Sequence, residues 1–371
     1  MSKTKIVLAS ILKPVDDTRM YEKIGISLGQ TNKYDINIIG FYPKKIPATL
    51  STIQLRPLFN FQRISFKRVL APWKCFLEYI KVKPKVIIFN THELLIVTVL
   101  YKIIFGCKIC YDIRENHYRN LLYGRGFIKL ARPILAIYVR AKEYLTRPWI
   151  DLYLLAEKTY EQEFTFSRKK SITVENKYRA VHVPSQAKKP QGEIVLAFSG
   201  TLGETTGIFE TIALAKRLHA ENHLARLVII GHCAKRHTLV HLQALVKEHP
   251  FIQLIGGDSL VPHHQVITVL KGAHFGMIGY PKNKSTENSI PTKLYEYLAL
   301  RLPIILQRNE NWEEICNRYQ ACIPVDYDTV KAKELLQNMK SNSFYTTPPG
   351  NEILWDSEEK KLLDHLERIT T

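Results

Sequence analysis

The strongest constraint on this chain is that one pattern is laid down twice. Short apolar runs suited to buried strands alternate with longer segments at helical spacing, first from residue 5 and again from residue 194. In the first half Lys5-Ile6-Val7-Leu8-Ala9 predicts a strand, residues 19–30 a helix and residues 34–40 the next strand. Further strands are expected at 86–89, 108–111, 152–155 and 172–174, with helices at 94–105, 128–145 and 157–166. The second half starts again with a strand at 194–198, a glycine-bearing loop at 199–207 and a helix at 208–220. Strands at 227–231, 252–255, 275–278 and 304–306 follow. Strands separated by helices pair in parallel and are covered on both faces, so the expected fold class is α/β with two Rossmann-like domains.

A chain of 371 residues is long enough for two separate cores. The expected boundaries are a first domain over 1–180, a linker over 181–193, a second domain over 194–345 and a C-terminal helical segment over 346–371. The linker is placed where Pro184, Pro190 and Gly192 interrupt any periodicity. No N-terminal stretch has the charged, apolar, small-residue order of a signal peptide. The apolar run at 94–110 carries Lys102 and Lys108 and predicts a buried helix and strand rather than a membrane span. The six cysteines are scattered, and Cys107-Lys108-Ile109-Cys110 has no second pair to complete a zinc site. Packing thiols in a reducing cytoplasm, with no metal, are expected.

Ligands of open parallel sheets bind beyond the carboxyl ends of the strands. On the first domain those ends carry Asp16, Asp17 and Arg19, then Asn90-Thr91-His92-Glu93, then Asp112-Ile113-Arg114-Glu115-Asn116-His117. Two successive strands thus bring titratable groups to one rim, and that recurrence carries more than His92, Arg114 or Glu115 taken singly. On the second domain Gly200, Thr201 and Gly203 lie in the first loop, whose glycines match neither the dinucleotide fingerprint nor the P-loop. His263-His264 follow a later strand, and Cys233, His237 and His241 are spaced by four on an expected helix.

The most informative local stretch is Glu287-Asn288-Ser289-Ile290-Pro291-Thr292-Lys293-Leu294-Tyr295-Glu296. Ser289 is a candidate N-cap with Pro291 in the first turn, and Leu294, Tyr297 and Leu298 recur at helical spacing. Pro303 closes the helix before the strand at 304–306. A helix start offers free N–H groups and a positive dipole end, which suits a phosphate. Lys293 and Glu296, three apart, can share a side. An ordinary surface helix satisfies the same local pattern.

Charge is distributed unevenly. Residues 1–190 hold 34 Lys and Arg against 14 Asp and Glu, a net of +20, while residues 191–371 hold 19 against 20. The excess is densest at 56–85 and 119–147. Such asymmetry points to an anionic surface. Within 61–81, Phe66, Leu70, Trp73, Leu77 and Ile80 fall on one helical face with Lys67, Arg68 and Lys74 interleaved, and Pro72 kinks or interrupts it. Lys67, Arg68, Trp73 and Lys74 are therefore candidate contacts for an anionic membrane; a core-facing helix with a solvated basic back is the alternative. No signature of a nucleic-acid-binding fold accompanies the charge, so nucleic acid is not expected.

Taken together, the two halves, the linker, the C-terminal helix and the 288–296 stretch resemble a GT-B glycosyltransferase, more narrowly the retaining, metal-independent family 4. In that family a Glu-x7-Glu motif opens a helix of the C-terminal domain: the second Glu holds the nucleotide ribose, the first contacts the donor sugar, and the amides between meet the diphosphate. Glu296 matches the second position, and Asn288 stands at the first. Residues 293–303 follow the family pattern, except that Arg301 replaces its usual Gly. Phe198-Ser199-Gly200-Thr201-Leu202 matches the first donor-domain strand and loop, and Asn176 an Asn common before the linker. The acceptor-side turns match through His92 and residues 112–115, with Arg114 where a His is common. Many members also carry an Arg and a Lys in the first donor-domain loop; residues 201–207 contain neither, so Lys293, Arg19 and the helix N-terminus would supply the positive field.

The resemblance implies two domains facing a cleft, with the C-terminal helix packed back on the first. It implies transfer of a sugar from a nucleotide-sugar donor with retained configuration, without cofactor or metal; the basic first half adds the expectation of a lipid-linked or cell-envelope glycan acceptor at the inner face of a membrane. Donor contacts fall to Gly200, Thr201, Gly203, Asn288, Ser289, Ile290, Thr292, Lys293 and Glu296, and the catalytic, acceptor-facing positions to His92, Arg114 and Glu115. A nucleotide-sugar epimerase on the same fold, or a non-catalytic glycan- or partner-binding relative, is the alternative.

Overall fold

The computed structural model describes residues 3–43, 49–62, 65–124, 128–180, 191–284 and 287–370. Most of the expected linker, 181–190, lies outside the described residues. Two compact units are present. The first comprises Met1–Arg179, Lys284–Ser289 and Trp355–Thr371, and the second Ala180–Asn283 and Ile290–Leu354.

Unit 1 is built on seven parallel strands: β1 (Thr4–Pro14), β2 (Tyr34–Phe41), β3 (Ile53–Phe59), β4 (Val86–Phe89), β5 (Lys108–Ile113), β6 (Leu152–Leu155) and β7 (Ser171–Thr173). Their order is β3-β2-β1-β4-β5-β6-β7. Strand side chains alternate between two cores. Val7, Ala9, Ile87 and Phe89 point to one face, and Ile6, Leu8, Val86 and Ile88 to the other. Both faces are covered, which is why these strands are uniformly apolar. Beyond Asp17, which accepts from the Arg19 and Met20 amides, a wide-turned helical segment (Thr18–Gly25) leads into α1 (Ile26–Gln30) on the second face. The first face is covered by α2 (Lys67–Val82) and α3 (Leu95–Phe105). The carboxyl end of β5 leads into α4 (His117–Tyr123), then α5 (Ala131–Thr146), which packs beside α3, and the single turn α6 (Tyr160–Glu163).

α2 corrects an expectation. The helix runs through Pro72, and it is oriented opposite to a core-facing amphipathic helix. Ala71, Pro72, Cys75, Glu78, Tyr79 and Val82 form its buried side, whereas Phe66, Leu70, Trp73, Leu77 and Ile80 are exposed. Small side chains and one tyrosine let the helix approach the sheet, leaving the bulky stripe outward.

Unit 2 repeats the plan with β8 (Ile194–Thr201), β9 (Ala225–His232), β10 (Ile252–Gly257), β11 (Phe275–Ile278), β12 (Ile304–Gln307) and β13 (Cys322–Val325) in the order β10-β9-β8-β11-β12-β13, all parallel. Its helices are α7 (Ile208–Glu221), α8 (Arg236–Glu248), α9 (His263–Gly272), α10 (Thr292–Ala299), α11 (Glu310–Asn317) and α12 (Ala332–Ser341). The last helix, α13 (Asp356–Thr370), belongs to unit 1, where Leu362 and Leu366 enter the core beside Trp355. Trp355 Nε1 donates to Ser27 Oγ at 2.8 Å, and Lys177 pairs with the buried Glu358 at 2.6 Å.

In each sheet the chain reverses direction of growth beside the first strand, between β1 and β4 and between β8 and β11. Ligands of doubly wound sheets bind beyond such switch points.

Candidate functional site

In unit 2 the switch point is floored by the end of β8. The strand extends past the expected 194–198, so Gly200 and Thr201 are its last residues rather than a loop. Gly200 takes φ +100°, and a Cβ there would find only Lys293 Cε, at 3.9 Å. The chain then makes a short turn, Glu204–Thr206, in which the Gly203 amide donates to Thr206 Oγ1 and that hydroxyl donates back to Thr201 O at 2.7 Å. Gly207, at φ +80°, lets this turn pass against Gly279 at the end of β11; a Cβ would sit 1.7 Å from the Gly279 carbonyl oxygen.

α10 brings its charged pair to this floor. It starts at Thr292 with Pro291 in the N-cap position, not at Ser289 as expected, because Pro291 holds ψ at 130° and keeps the residues before it out of the helix. Lys293 is buried, with Nζ 3.8 Å from the centre of the Phe198 ring and 5.2 Å from that of Tyr280. Its ammonium has no hydrogen-bond acceptor among the described residues. Burial lowers its pKa to about 7 even though the Glu296 carboxylate opposes the shift. Glu296, one turn on, is partly exposed and lies 3.2 Å from His263 Nε2 at the start of α9. An orphan buried cation beside helix-start amides suits an anionic ligand, and a partly exposed carboxylate nearby suits hydroxyls. At the end of the helix Arg301, where the family usually has Gly, takes φ +49°, a conformation that glycine adopts without strain.

The other half of the predicted motif is placed elsewhere. Asn288 and Ser289 belong to unit 1, whereas Ile290, Thr292, Lys293 and Glu296 belong to unit 2. Asn288 Nδ2 donates to Glu163 Oε1 at 2.8 Å and its carbonyl accepts from Thr159 Oγ1. Ser289 hydrogen-bonds Tyr160. Arg119 joins this cluster, pairing with Glu163 at 2.5 Å and Glu287 at 2.6 Å. Sequence reasoning missed Arg119 and Glu163. Neither sits at a strand end, and no spacing links them.

At the unit 1 switch point, Leu12, Lys13, Asn90, Thr91, Arg114, Glu115 and His117 line one small concavity. The three predicted residues differ in availability. Arg114 is committed: its guanidinium bridges Asp17 at 2.6 Å and Asp112 at 2.7 Å. Asp112 also takes the buried Arg19, at 2.8 Å. Arg19 is thus spent inside unit 1, which corrects the expectation that it supplies free positive charge. His92 turns inward, with Nδ1 3.0 Å from Lys142 Nζ and its ring against His117; burial above all lowers its pKa to about 3 and keeps it neutral. Only Glu115 offers an accessible side chain, held by Asn120 Nδ2 at 3.1 Å and facing Lys13 at 3.7 Å.

Of the membrane candidates, Lys67, Trp73 and Lys74 are exposed on α2, while Arg68 folds back to pair with Glu93. The Cys233, His237 and His241 spacing does not assemble: His237 faces Glu204, and His241 stacks on Phe209. Among the described residues no group of three or more His, Cys, Asp or Glu side chains is placed to hold a metal ion.

No protein-family profile matches the sequence, and no curated protein does. Solved structures do match. Sucrose-phosphate synthase from Thermosynechococcus elongatus superposes with a TM-score of 0.72 at 12% identity over 99% of each chain. Anabaena HepE in complex with UDP and glucose gives 0.65 at 10% identity over 99% of this chain and 100% of that one. The catalytic domain of starch synthase IV from Arabidopsis thaliana, bound to ADP and acarbose, gives 0.62 at 11% identity over the whole of both chains. The fold is therefore GT-B, with sheets of seven and six strands.

Proposed function

We propose that this chain is a retaining glycosyltransferase that uses a nucleotide-sugar donor, independently of a metal, and a lipid-linked or cell-envelope glycan acceptor, working peripherally at the cytoplasmic face of a membrane. The observation that carries the reading is Lys293: a buried, unsatisfied ammonium at the switch point of unit 2, one helical turn from Glu296. Burying a cation without a partner is costly, and a diphosphate would relieve that cost. The nucleotide-bound neighbours of the same fold, one with UDP and glucose and one with ADP and acarbose, support a nucleotide as the anion.

In this reading Gly200 and Thr201 floor the donor pocket, Lys293 and the first-turn amides of α10 hold the diphosphate, and Glu296 accepts from the ribose hydroxyls. The bond from the sugar C1 to the diphosphate oxygen breaks, the acceptor oxygen bonds to C1 on the same face, and its proton passes to the departing diphosphate. The protein contributes positioning and stabilisation of the charge on the leaving group. Glu115, with its accessible carboxylate, is assigned to the acceptor side.

Thermal shift against UDP, ADP and GDP and their sugars tests this directly, since a ligand that binds only the folded state raises Tm. One nucleotide is expected to raise Tm in the wild type and to lose most of that effect in Glu296→Ala and Lys293→Met. If no nucleotide shifts the wild type, or if the Glu296→Ala shift equals that of the wild type, the assignment fails.

A further inference from the structure

The outward faces of α2, α3 and α5 carry an unusual load of apolar side chains. On α2 the stripe Phe66, Leu70, Trp73, Leu77 and Ile80 is exposed along the whole helix. On α3, Ile96, Ile103 and Ile104 point outward. On α5 the stripe continues with Ile134, Ile137 and Leu145, the first and last 70% exposed. The three helices lie side by side, α2 against α3 and α3 against α5, and turn their other faces to the sheet of unit 1. The stripes therefore form one layer. A patch of this extent on a soluble protein marks an interaction surface.

Its charge identifies the occupant. The only acidic residues in the three helices, Glu78 and Glu143, are both buried. The exposed charges interleaved with the apolar stripe of α2 are Lys67, Lys74 and Lys81. Trp73, Tyr138, Tyr144 and Trp149 are exposed around the patch, and rings with one polar atom favour the headgroup level of a bilayer. A second copy of the same face would oppose lysine to lysine, whereas an anionic lipid surface complements it. No helix among the described residues is long and apolar enough to cross a membrane, so contact is in the plane.

We propose that α2, α3 and α5 form a docking face that inserts its apolar side chains into one leaflet of an anionic lipid bilayer, rather than adsorbing by charge alone. This deepens the peripheral-membrane part of the reading above and rests on no residue of the donor site, so donor binding measured without lipid separates the two.

Tryptophan fluorescence tests it on the full chain. Trp73 and Trp149 are exposed on this face, while Trp312 and Trp355 are buried. With vesicles of phosphatidylcholine and phosphatidylglycerol, the emission should shift to the blue and be quenched by lipids brominated on their acyl chains. Both effects should persist when salt is raised after binding and should vanish in Trp73→Phe/Trp149→Phe. The double variant Leu70→Glu/Ile134→Glu should bind these vesicles at least tenfold more weakly, with Tm and nucleotide-induced shift unchanged. Three results would overturn the proposal: no binding to anionic vesicles, binding that salt reverses without acyl-chain quenching, or a dimer in solution that Leu70→Glu/Ile134→Glu dissociates.

Discussion

The Lys293 ammonium lies 3.8 Å from the centre of the Phe198 ring, held by the ring face and by no hydrogen-bond acceptor among the described residues. A cation in that position is stabilised by the ring quadrupole, but less than water would stabilise it. Burial accordingly pulls its pKa from 10.5 to about 7.

This makes anion binding proton-linked. Below pH 7 the site is already charged. Above it, binding a diphosphate must restore the proton, because the anion raises the pKa of Lys293. Affinity should be flat below about pH 7 and fall towards tenfold per unit above it. Calorimetry at pH 8 in two buffers of different ionisation enthalpy should show uptake of up to about one proton, and none in Lys293→Met. The apo protein shows the same linkage with the opposite benefit. Between pH 7 and 10.5 the unfolded chain binds the proton and the folded one does not, so this residue's contribution to stability rises with pH there.

Two glycines at and after the end of β8, Gly200 and Gly207, separate packing from function. Gly207→Ala would drive a Cβ to 1.7 Å from the Gly279 oxygen, where only backbone can give way. A loss of about 3 kcal/mol or more is expected, read as a large drop in Tm. Gly200→Ala meets nothing closer than Lys293 Cε at 3.9 Å, so its cost is conformational, about 1–2 kcal/mol. It should fold, and its nucleotide-induced shift should shrink.

The sequence made the central strands legible because each is apolar throughout. β4, β6 and β11 fall where the pattern places them, at Val86–Phe89, Leu152–Leu155 and Phe275–Ile278. The two strands it did not reveal, β3 and β13, are sheet edges that contain Pro57 and Pro324. An edge strand tolerates proline and needs little apolar alternation, so its local signal is weak. In the site, the proximity of Lys293 and Glu296 followed from helical spacing. The inward turn of His92 and the capture of Arg114 by Asp17 did not, because Lys142 and Asp17 lie 50 and 97 residues from the side chains they meet. The outward stripe of α2 is the sharpest lesson: periodicity identifies the apolar face of a helix but not what covers it.

Arg114 and Glu115 are adjacent in sequence and should behave differently. Asp112 and Asp17 are buried, which raises their pKa values, but Arg19 and Arg114 for the first, and Arg114 and Lys13 for the second, outweigh burial and hold both below 3.8. Their stabilisation is therefore complete above about pH 4 and is lost as pH falls through the lowered values. Arg114→Met leaves buried carboxylates short of a partner and should cost about 3–5 kcal/mol at pH 7. It should also move the acid unfolding midpoint, followed by circular dichroism, to higher pH. Glu115→Gln should leave the unfolding free energy within about 0.5 kcal/mol of wild type and change only acceptor-side kinetics.

The C-terminal helix is part of unit 1 rather than an appendage to the chain. Trp355 is fully buried, its indole N–H satisfied by Ser27 Oγ at 2.8 Å, and Lys177 reaches the buried Glu358 at 2.6 Å. Trp355→Ala removes a large core side chain and leaves Ser27 Oγ with Arg179 as its remaining donor, at a cost of about 3–5 kcal/mol. Glu358→Gln is a finer probe. Burial raises the Glu358 pKa, but Lys177 and Lys361 outweigh it and hold the carboxyl below its usual range. The wild type should lose this contribution as pH falls below about 4, and the variant should show no such step. Ending the chain before Trp355 should expose the face of unit 1 that Leu362 and Leu366 cover. Urea unfolding should then give a lower midpoint, with dye binding to apolar surface appearing before the main transition. A truncated chain as stable as the full one would show that unit 1 closes its core without α13.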